Sequence, residues 1–541
     1  MVPARHGDRP DLVLRDLLQR QGLRRRGRGR GLRTHPALTF TACRVTRFPL
    51  NPVGDISVTQ HVRKPARNRL IAAGALCAAT ALALTGLTAG SASAAPSSQL
   101  RADYNGDGYA DLAVGVPGAT VGGKAGAGYV NVVWGGASGL GKHGSATVSQ
   151  ATTGVPGTAE AGDKFGKAVD SNDMNGDGYA DLVVGAPGED IDAALDAGTV
   201  TIVWGSASGF KGGFTAASGN GEARGYGAVL TTGDFDRDGD NDIALNTHFD
   251  ETSSLAMRPG PFTAGSPATL SRIQGWHFAG PTVVTSGDFD GDGGDDIALA
   301  YDGMEISGTQ VLSRASGAWK TTWSTGDTTS SALAAGDFDG DGTDDLAIGN
   351  VQPNPEWEST ACEDRLGGAV LTVFGKKGGA LGHGGFSCTT QDSPQVGGTA
   401  EADDNFGAHL ASANVDKDGI DELIVGADTE AVGTAEKAGS YWVLAALGTG
   451  EHLVGPSFTQ NSTGVAGNAE AGDRLGAAVT TGDYNGDTYP DIAVGAPGED
   501  GKGGVWYAAA PKDGPNPPVT SVTPGKLGLS GSVAYGTVLG R

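Results

Sequence analysis

An acidic nine-residue pattern occurs seven times between residues 103 and 491 of this 541-residue chain. It carries Asp or Asn at positions 1 and 3, Asp at position 5, Gly at position 6 in six of the seven copies, and Asp or Glu at position 9. Oxygen ligands at alternate positions converge only where the chain turns sharply, and glycine permits that turn. A shell of carboxylate and amide oxygens is the ligand set that Ca²⁺ prefers. The pattern therefore predicts calcium-binding loops.

The candidate ligands are the side chains at positions 1, 3, 5 and 9 of each copy. They are Asp103, Asn105, Asp107 and Asp111; Asp173, Asn175, Asp177 and Asp181; Asp234, Asp236, Asp238 and Asp242; Asp288, Asp290, Asp292 and Asp296; Asp337, Asp339, Asp341 and Asp345; Asn414, Asp416, Asp418 and Glu422; and Asp483, Asn485, Asp487 and Asp491. One copy alone could be a simple acidic turn, but seven copies at intervals of 49 to 77 residues indicate a repeated unit. We expect up to seven structural Ca²⁺ ions, with the weakest binding in the sixth and seventh loops, which depart most from the pattern.

The EF-hand begins with the same residues and is the obvious alternative. It requires a bidentate Glu at position 12 and a helix on either side. Position 12 is apolar in every copy: Val114, Val184, Leu245, Leu299, Ile348, Val425 and Val494. Together with the Leu or Ile that always occupies position 10, it gives the two-residue alternation of a β-strand. The pattern therefore predicts a loop that leads into a strand and excludes the EF-hand.

Further strand signals surround each loop. Phe165-Gly166 precedes the second copy, Gly185-Ala186-Pro187 ends the strand that follows it, and an alternating run at Thr199–Trp204 comes next. Glycine accounts for 92 of the 541 residues, which disfavours helices because glycine loses the most backbone entropy on folding. Several short strands per unit with glycine-rich turns are typical of a four-stranded sheet repeated radially.

Phe-Gly, the acidic loop and Gly-Ala-Pro in this order resemble the FG-GAP repeat, the unit of the integrin α-subunit β-propeller. The resemblance covers about residues 100–541 and implies an all-β, seven-bladed propeller of four-stranded antiparallel blades, of the secreted bacterial type. It also implies that the backbone carbonyl at loop position 7 is a calcium ligand. These residues are Tyr109, Tyr179, Asp240, Gly294, Thr343, Ile420 and Tyr489. Units three to five lack Gly-Ala-Pro, and units four and five also lack Phe-Gly, so their blade edges are less certain.

The two ends of the repeat region complement each other. The first loop has no Phe-Gly before it, whereas Tyr535-Gly536 stands near the C-terminus with no loop after it. Joined to Ala102-Asp103, the tail restores the eight-residue offset that separates Phe165 from Asp173. We therefore expect the C-terminal strand to complete the first blade and close the ring; the alternative is a frayed tail.

Charge divides the chain into a basic leader and an acidic body. Residues 1–94 contain 16 Lys and Arg against 4 Asp and Glu, whereas residues 95–541 carry a net charge of −36. A basic segment, an apolar run from Leu70 to Leu87 and Ala92-Ser93-Ala94 have the order of a secretory signal peptide. We expect an upstream segment at 1–61, a signal peptide at 62–94 and a secreted propeller at 95–541. A retained membrane anchor is the alternative reading of the apolar run.

Cys362 and Cys388 are the only cysteines after the expected cleavage site. A pair of cysteines in a secreted chain suggests one disulfide, although two buried free thiols would also fit. A second recurring element comprises Thr158–Asp163, Thr399–Asp404 and Asn468–Asp473. We expect it on loops between blades, where its acids either cap the loop or form a ligand site; capping is the favoured interpretation.

The sequence shows no nucleophile elbow, zinc-protease motif or phosphate loop. We therefore expect a secreted, monomeric binding or cell-adhesion module for a protein or glycan, and not an enzyme. The alternative is an extracellular hydrolase or polysaccharide lyase with a site on the propeller loops, since glycosylphosphatidylinositol-specific phospholipase D carries a similar propeller. The negative charge argues against a nucleic-acid partner, and we expect no membrane span in the mature chain.

Overall fold

The computed structural model describes residues 101–540 except 264–265, 267–268, 305, 316, 327, 350–351, 354–361, 363–365, 395, 446, 448–452, 455–456, 511–518 and 530–533. The upstream segment and the signal peptide, predicted at 1–61 and 62–94, lie outside the described residues. A single 3-10 turn, Glu499–Gly501, is the only helical element in the described part of the chain. No helix in that part could cross a membrane.

All strands but two form seven antiparallel sheets, here called blades 1 to 7 in chain order. Blade 1 contains β1 (Leu112–Val116), β2 (Tyr129–Val133), β3 (Ser145–Val148) and β31 (Val538–Leu539); blade 2 contains β4 (Ala168–Asn172), β5 (Asp181–Ala186), β6 (Thr199–Val203) and β7 (Gly213–Ser218); and blade 3 contains β8 (Ala223–Arg224), β9 (Leu230–Gly233), β10 (Asp242–Phe249), β11 (Thr252–Arg258) and β12 (Ser271–His277). Blade 4 contains β13 (Ala279–Gly287), β14 (Asp296–Gly303), β15 (Ser307–Ser313) and β16 (Lys320–Gly326); and β17 (Thr328–Thr329) pairs with β20 (Gln352–Pro353) outside the blades.

Blades 5 to 7 each contain four strands. Blade 5 contains β18 (Ala332–Gly336), β19 (Asp345–Gly349), β21 (Val370–Val373) and β22 (Phe386–Thr389); blade 6 contains β23 (His409–Ala413), β24 (Glu422–Ala427), β25 (Ser440–Ala445) and β26 (Leu453–Val454); and blade 7 contains β27 (Ala478–Gly482), β28 (Asp491–Ala496), β29 (Gly504–Ala508) and β30 (Val519–Val522).

The innermost strands of the blades form a closed ring. β31 contacts β4, and the contacts continue through β9, β13, β18, β23 and β27 back to β31. Each blade therefore packs against the blades before and after it. The second strand of most blades is buried along its whole length, as in β5, because both faces of the sheet are covered by neighbours.

The core is built between blades rather than within one. One apolar cluster joins Val130 and Val132 of blade 1 to Leu182 and Val184 of blade 2, with Phe165 of the Phe-Gly dipeptide between them. Phe165 is fully buried. The Phe-Gly residue thus fills the space between adjacent blades, which explains why an aromatic or leucine recurs at that offset.

The C-terminal strand completes blade 1, as the sequence predicted. Val538 and Leu539 pair antiparallel with Gly115 and Val114 of β1, so β31 takes the innermost position that β4 holds in blade 2. Tyr535 is fully buried, and its hydroxyl donates a hydrogen bond to Asn131 Oδ1 at 2.9 Å. The ring is therefore closed by residues more than 400 positions apart in the chain.

Blades 3 and 4 form despite their missing signature residues, but they differ in shape. Their second strands β10 and β14 have 8 residues each, compared with 5 or 6 in the other blades. In blade 3 two short strands, β8 and β9, share the innermost edge against β10. The extra length carries these blades beyond the others at the end where the Gly-Ala-Pro turn is missing.

The two cysteines form a disulfide. Cys362 and Cys388 have their Cα atoms 5.9 Å apart, and Cys388 belongs to the outer strand β22. The bond joins the segment before β21 to the outer edge of blade 5.

Candidate metal centres on one face of the ring

The seven acidic loops lie at one face of the propeller. In blades 2 to 7 each loop connects the innermost strand to the second strand, as between Asn172 at the end of β4 and Asp181 at the start of β5. In blade 1 the loop directly precedes β1, and the tail supplies the innermost strand. Because the loops occupy the same topological position, all the candidate metal ligands belong to one face, here called the loop face.

Each loop is fastened to the core through position 2. This residue is large and apolar in every copy, and it is at most 5% exposed. The seven residues are Tyr104, Met174, Phe235, Phe289, Phe338, Val415 and Tyr484. Burial of such a side chain contributes about 1.5–3 kcal/mol. The sequence pattern did not include these anchors, although the recurrence of an apolar residue between two acids was visible in it.

The carboxylate at position 9 is a buried connector. In six loops it accepts a hydrogen bond from the backbone N–H of position 2 at 2.8–3.1 Å. In five loops its other oxygen accepts one from a backbone N–H just beyond the third strand of the blade, at 2.7–2.9 Å. Asp111, for example, joins Tyr104 to Gly135. The final acid therefore holds the loop to the blade as well as facing the proposed ion.

Positions 1 and 5 shape the turn. In loop 1, Asp103 accepts hydrogen bonds from the backbone N–H groups of Gly106 at 2.7 Å and Gly108 at 3.0 Å. In all seven loops the carboxylate at position 5 accepts the N–H of position 7 at 2.8–3.2 Å. These bonds fix the backbone at position 7, whose carbonyl the family resemblance assigns as a ligand.

Acidic side chains converge in four of the loops. Three carboxylates have oxygen atoms within 4.8 Å of one another in each of the following groups: Asp234, Asp236 and Asp242; Asp288, Asp290 and Asp292; Asp337, Asp339 and Asp345; and Asp416, Asp418 and Glu422. Asp238, Asp296 and Asp341 are not members of these groups. Loops 1, 2 and 7 have Asn at position 3 and so offer one carboxylate fewer.

Several of the candidate ligands are buried acceptors with no hydrogen-bond partner among the described residues. These atoms are Oδ1 of Asn175, Asp234, Asp236, Asn414 and Asp483, and both carboxylate oxygens of Asp296. A buried acceptor without a donor costs roughly 1–3 kcal/mol. Amide oxygens and ionised carboxylate oxygens only accept hydrogen bonds, so they cannot satisfy one another, whereas a cation would be coordinated by several of them at once. The residues therefore fit a hard divalent ion such as Ca²⁺.

Burial without a counter-ion is unfavourable for the ionised acids at position 9. It raises the pKa of Asp111 and Asp345 to about 8. The same cause raises the pKa to about 7 for Asp181, Asp242, Asp296, Glu422 and Asp491. Nearby loop acids add to the effect. A bound cation would favour the ionised form and reverse these shifts.

Basic side chains already neutralise part of some loops. Arg237, at position 4 of loop 3, forms an ion pair with Asp292 of loop 4. Arg314 lies 3.0 Å from Asp236, and Lys211 lies 3.4 Å from Asp177. These pairs are not visible in the sequence, because each joins residues from different strands or blades.

Neighbouring loops are hydrogen-bonded around the ring. At five of the seven seams the backbone N–H of position 8 donates to the carbonyl of position 1 in the preceding loop, at 2.8–3.2 Å. Between loops 2 and 3 the side chain of Asn241 makes this bond to Asp173 O at 2.8 Å. Position 8 of loop 7 is Pro490, which has no N–H to donate.

Three acids at position 8 strengthen these seams and were also missed. Asp295, Asp344 and Asp421 accept the backbone N–H of position 1 in the preceding loop at 2.9, 2.8 and 3.2 Å. Burial raises the pKa of each carboxyl, to about 6 for Asp344. Position 8 is therefore a contact between blades in the three seams from blade 3 to blade 6.

The second recurring element caps its own loops. Asp163, Asp404 and Asp473 accept the backbone N–H of the Glu three residues earlier at 2.5–2.6 Å. Each element lies between the outer strand of one blade and the innermost strand of the next. This geometry agrees with the capping interpretation.

A cavity of about 200 Å³ lies on the ring axis. It is lined by the innermost strands of blades 4 to 7 and by Gly540 next to β31, mainly by Ala, Ser and Thr, with Arg101 and Asp111 as its charged residues. Asp111 is already held by two backbone N–H groups.

Seven antiparallel blades in a closed ring, six of them four-stranded and one five-stranded, with an acidic loop in each, define a seven-bladed β-propeller. The FG-GAP repeat model matches residues 100–132, 165–203 and 475–507, and the FG-GAP-like repeat model matches residues 288–348. The chain therefore contains FG-GAP repeats and folds as a seven-bladed β-propeller.

Its relatives include integrin α-subunits. The chain is 35% identical over 117 residues to integrin alpha-PS2 of Drosophila melanogaster and 35% identical over 169 residues to integrin alpha-V of Gallus gallus. It is 37% identical over 108 residues to phosphatidylinositol-glycan-specific phospholipase D of Bos taurus. These matches cover 20%, 28% and 20% of this chain, but only 8%, 16% and 13% of the respective relatives.

Proposed function

We propose that residues 95–541 form a secreted, calcium-binding propeller that serves as a binding or adhesion module for a protein or glycan, after removal of a signal peptide at 62–94. The integrin relatives, the acceptor-rich loops and the disulfide support this proposal. Calcium would be held by the side chains at positions 1, 3, 5 and 9 and the carbonyl at position 7. It would supply charge neutralisation that fixes the loops, and the binding surface would lie elsewhere.

An exposed apolar patch carries the proposal. Phe249, Phe278, Met304 and Ile306 are 52%, 53%, 83% and 43% exposed. They lie at the ends of β10, β12 and β14 that point away from the acidic loops. Exposed apolar patches of this kind mark interaction sites on soluble proteins.

The patch is held together by its backbone. Phe278 N–H donates to Glu251 O at 2.8 Å, and Met304 N–H donates to Phe278 O at 3.1 Å. Phe278 has a φ of +56°, which is unusual for a bulky residue and costs about 1–3 kcal/mol. Because this strained phenylalanine is exposed and does not belong to the core, we interpret Phe278 as a residue that contacts the ligand.

The enzyme alternative would require a cluster of histidine, basic and unengaged acidic residues on the ring axis. The described lining of the axial cavity offers Arg101 and an Asp111 that is already hydrogen-bonded. We therefore favour the binding module.

A binding screen with matched variants tests the proposal. Labelled protein is applied to a glycan array and to an array of extracellular protein domains, with calcium and with excess EDTA. We expect at least one ligand whose binding needs calcium and is lost in Phe278→Ser and Met304→Ser. Phe386→Ser is the control, because Phe386 is 71% exposed on the outer strand of blade 5, outside the patch. Binding that survives both patch variants would contradict the assignment of this face.

A further inference from the structure

Three junctions between blades share a buried glutamine that the acidic loops do not involve. Gln150, Gln391 and Gln460 follow the outer strands of blades 1, 5 and 6 and are 5%, 1% and 1% exposed. Each side-chain Nε2 donates to a glutamate of the next blade: Gln391 to Glu430 at 2.8 Å, Gln460 to Glu499 at 2.7 Å, and Gln150 to Glu189. These glutamates lie in the turn after the second strand, so they belong to the face opposite the loop face.

The amide orientation leaves an oxygen without a partner. With Nε2 directed at the glutamate, Oε1 of all three glutamines is buried and accepts no hydrogen bond from any residue that the structure describes. The reverse orientation would set the amide oxygen against a carboxylate. The same orphaned acceptor at three junctions points to a group that the protein itself does not supply.

At the junction of blades 5 and 6 the orphaned oxygen faces other acceptors. Gly367 has no side chain and a φ of +79°. The point where its Cβ would lie is 3.1 Å from Asp404 Oδ2, 3.3 Å from Gln391 Oε1, and closer still to the carbonyl oxygen of Glu401. Three acceptor oxygens therefore converge beside Gly367.

Neighbouring carboxylates add negative charge at each of these junctions. Asp404 and Glu430 lie close enough to interact, and Glu430 also accepts the hydrogen bond from Gln391. Glu189 lies near Asp163, and Glu499 lies near Asp473, both of the second recurring element. A hard cation would satisfy the orphaned amide oxygen and neutralise the carboxylate pair together.

We propose that the junctions of blades 1–2, 5–6 and 6–7 each bind a hard cation of the Ca²⁺ class between the two blades. The ligands at the junction of blades 5 and 6 are Gln391 Oε1, Asp404, Glu430 and the carbonyl of Glu401, and water completes the shell. These sites lie on the opposite face from the nine-residue loops and do not depend on calcium binding there. Their role is to clamp adjacent blades.

Ion counting tests the proposal with Ca²⁺ as the probe. After equilibrium dialysis against millimolar calcium, bound calcium per chain is measured for the wild type and for the triple variant Glu189→Gln, Glu430→Gln, Glu499→Gln. The substitution keeps shape and a hydrogen-bond acceptor for each glutamine. We expect three fewer ions per chain, one for each junction. An unchanged ion count means that water satisfies the amide oxygens and overturns the proposal.

A luminescence measurement locates the ion and guards against misfolding. Trp442 Cζ2 and Gln391 Nε2 lie 3.6 and 3.4 Å from the point where a Cβ on Gly398 would lie, so Trp442 is next to the site. Tb³⁺ emission excited through tryptophan should fall in Glu430→Gln and in Asp404→Asn, while the far-ultraviolet circular dichroism stays that of the wild type. Glu222→Gln, an exposed acid outside the junctions, is the control and should change neither ion count nor emission. Wild-type emission in both junction variants would overturn the proposal.

Discussion

The ring of Tyr109 lies against the backbone of Gly486, across the seam where blade 7 meets blade 1. A Cβ on Gly486 would lie only 2.8 Å from Tyr109 Cδ1. In each case a glycine at position 4 of one loop packs against position 7 of the next loop. The same contact joins Gly106 to Tyr179 and, less closely, Gly340 to Ile420. At these seams the glycine at position 4 of one loop therefore packs against the large side chain at position 7 of the next loop.

This contact predicts a specific cost for Gly486→Ala. The new methyl group meets the tyrosine ring, and the expected loss of stability is about 1–3 kcal/mol from overpacking. Gly176→Ala is the matched control, because Gly176 has the same loop position and the same φ of +72° but no atom within 4 Å of its Cβ position. Urea denaturation in calcium measures both variants. Equal losses would show that backbone strain alone, and not the seam contact, limits this position.

The sequence predicted the features that repeat along the chain. The acidic loops, the strands that follow them and the closing role of Tyr535 were all visible as spacing, and the structure confirms the propeller and its closure. The bonds between loops could not be predicted in this way. Asp344, for example, bonds to a loop that begins 56 residues earlier, and Asp421 to one 84 residues earlier. Such distances vary with the outer loops, so no fixed spacing reveals the partner.

The innermost edge of blade 3 also could not be predicted from the repeat pattern. Its innermost edge is divided between Ala223–Arg224 and Leu230–Gly233, which the repeat pattern did not indicate. The pattern predicts where a strand begins relative to the acidic loop but not where it ends. The longer β10 leaves room for a second short strand to pair along the same edge.

Calcium should raise the stability of the folded protein, and EDTA should remove the effect. Each ion bound only to the folded state adds about 2.7 kcal/mol at a hundred times its dissociation constant. Thermal melting across a calcium titration measures the shift. Asp345→Asn should reduce it, since Asp345 is a buried member of a converging acidic group. Asp250→Asn, in an exposed turn, is the control. A melting curve that EDTA does not move would contradict the calcium assignment of the loops.

Removal of the Arg237 guanidinium should strengthen ion binding at loop 4. Arg237 pairs with Asp292, so it competes with a cation for that carboxylate. We expect Arg237→Gln to increase calcium affinity at one site by about 3- to 10-fold, because a unit charge nearby is worth of the order of 1 kcal/mol in partly wet surroundings. Isothermal titration calorimetry resolves this change. Arg224→Gln, on the innermost edge of blade 3 and outside the acidic loops, should leave the affinities unchanged, and a decrease for Arg237→Gln would show that the arginine organises the site.

The free energy of unfolding should depend strongly on pH in the metal-free protein and only weakly in saturating calcium. In the ion-free fold the position 9 acids have pKa values near 7 to 8, whereas unfolded carboxyls titrate near about 4. Between these limits the folded state holds more protons than the unfolded state, so the free energy of unfolding falls as pH rises. Urea midpoints in metal-free buffer should therefore decrease from about pH 5 to pH 8. Saturating calcium replaces the protons and should flatten the decrease; a metal-free midpoint that rises over this range would refute the argument.

Ring closure should depend on Tyr535 more than on any other residue of the tail. Its side chain is fully buried in a cluster with Tyr129 and Val505, between blades 1 and 7. Tyr535→Ala should destabilise the protein by about 3–5 kcal/mol because it leaves a cavity at the seam. Tyr535→Phe removes only the hydrogen bond to Asn131 and should cost about 1 kcal/mol. Loss of the tail strand would also expose the edge of β1, which can pair with another chain. Light scattering should then show association for Tyr535→Ala and a monomer-like profile for Tyr535→Phe, and equal denaturation midpoints for the two variants would mean that the ring does not need its closing strand.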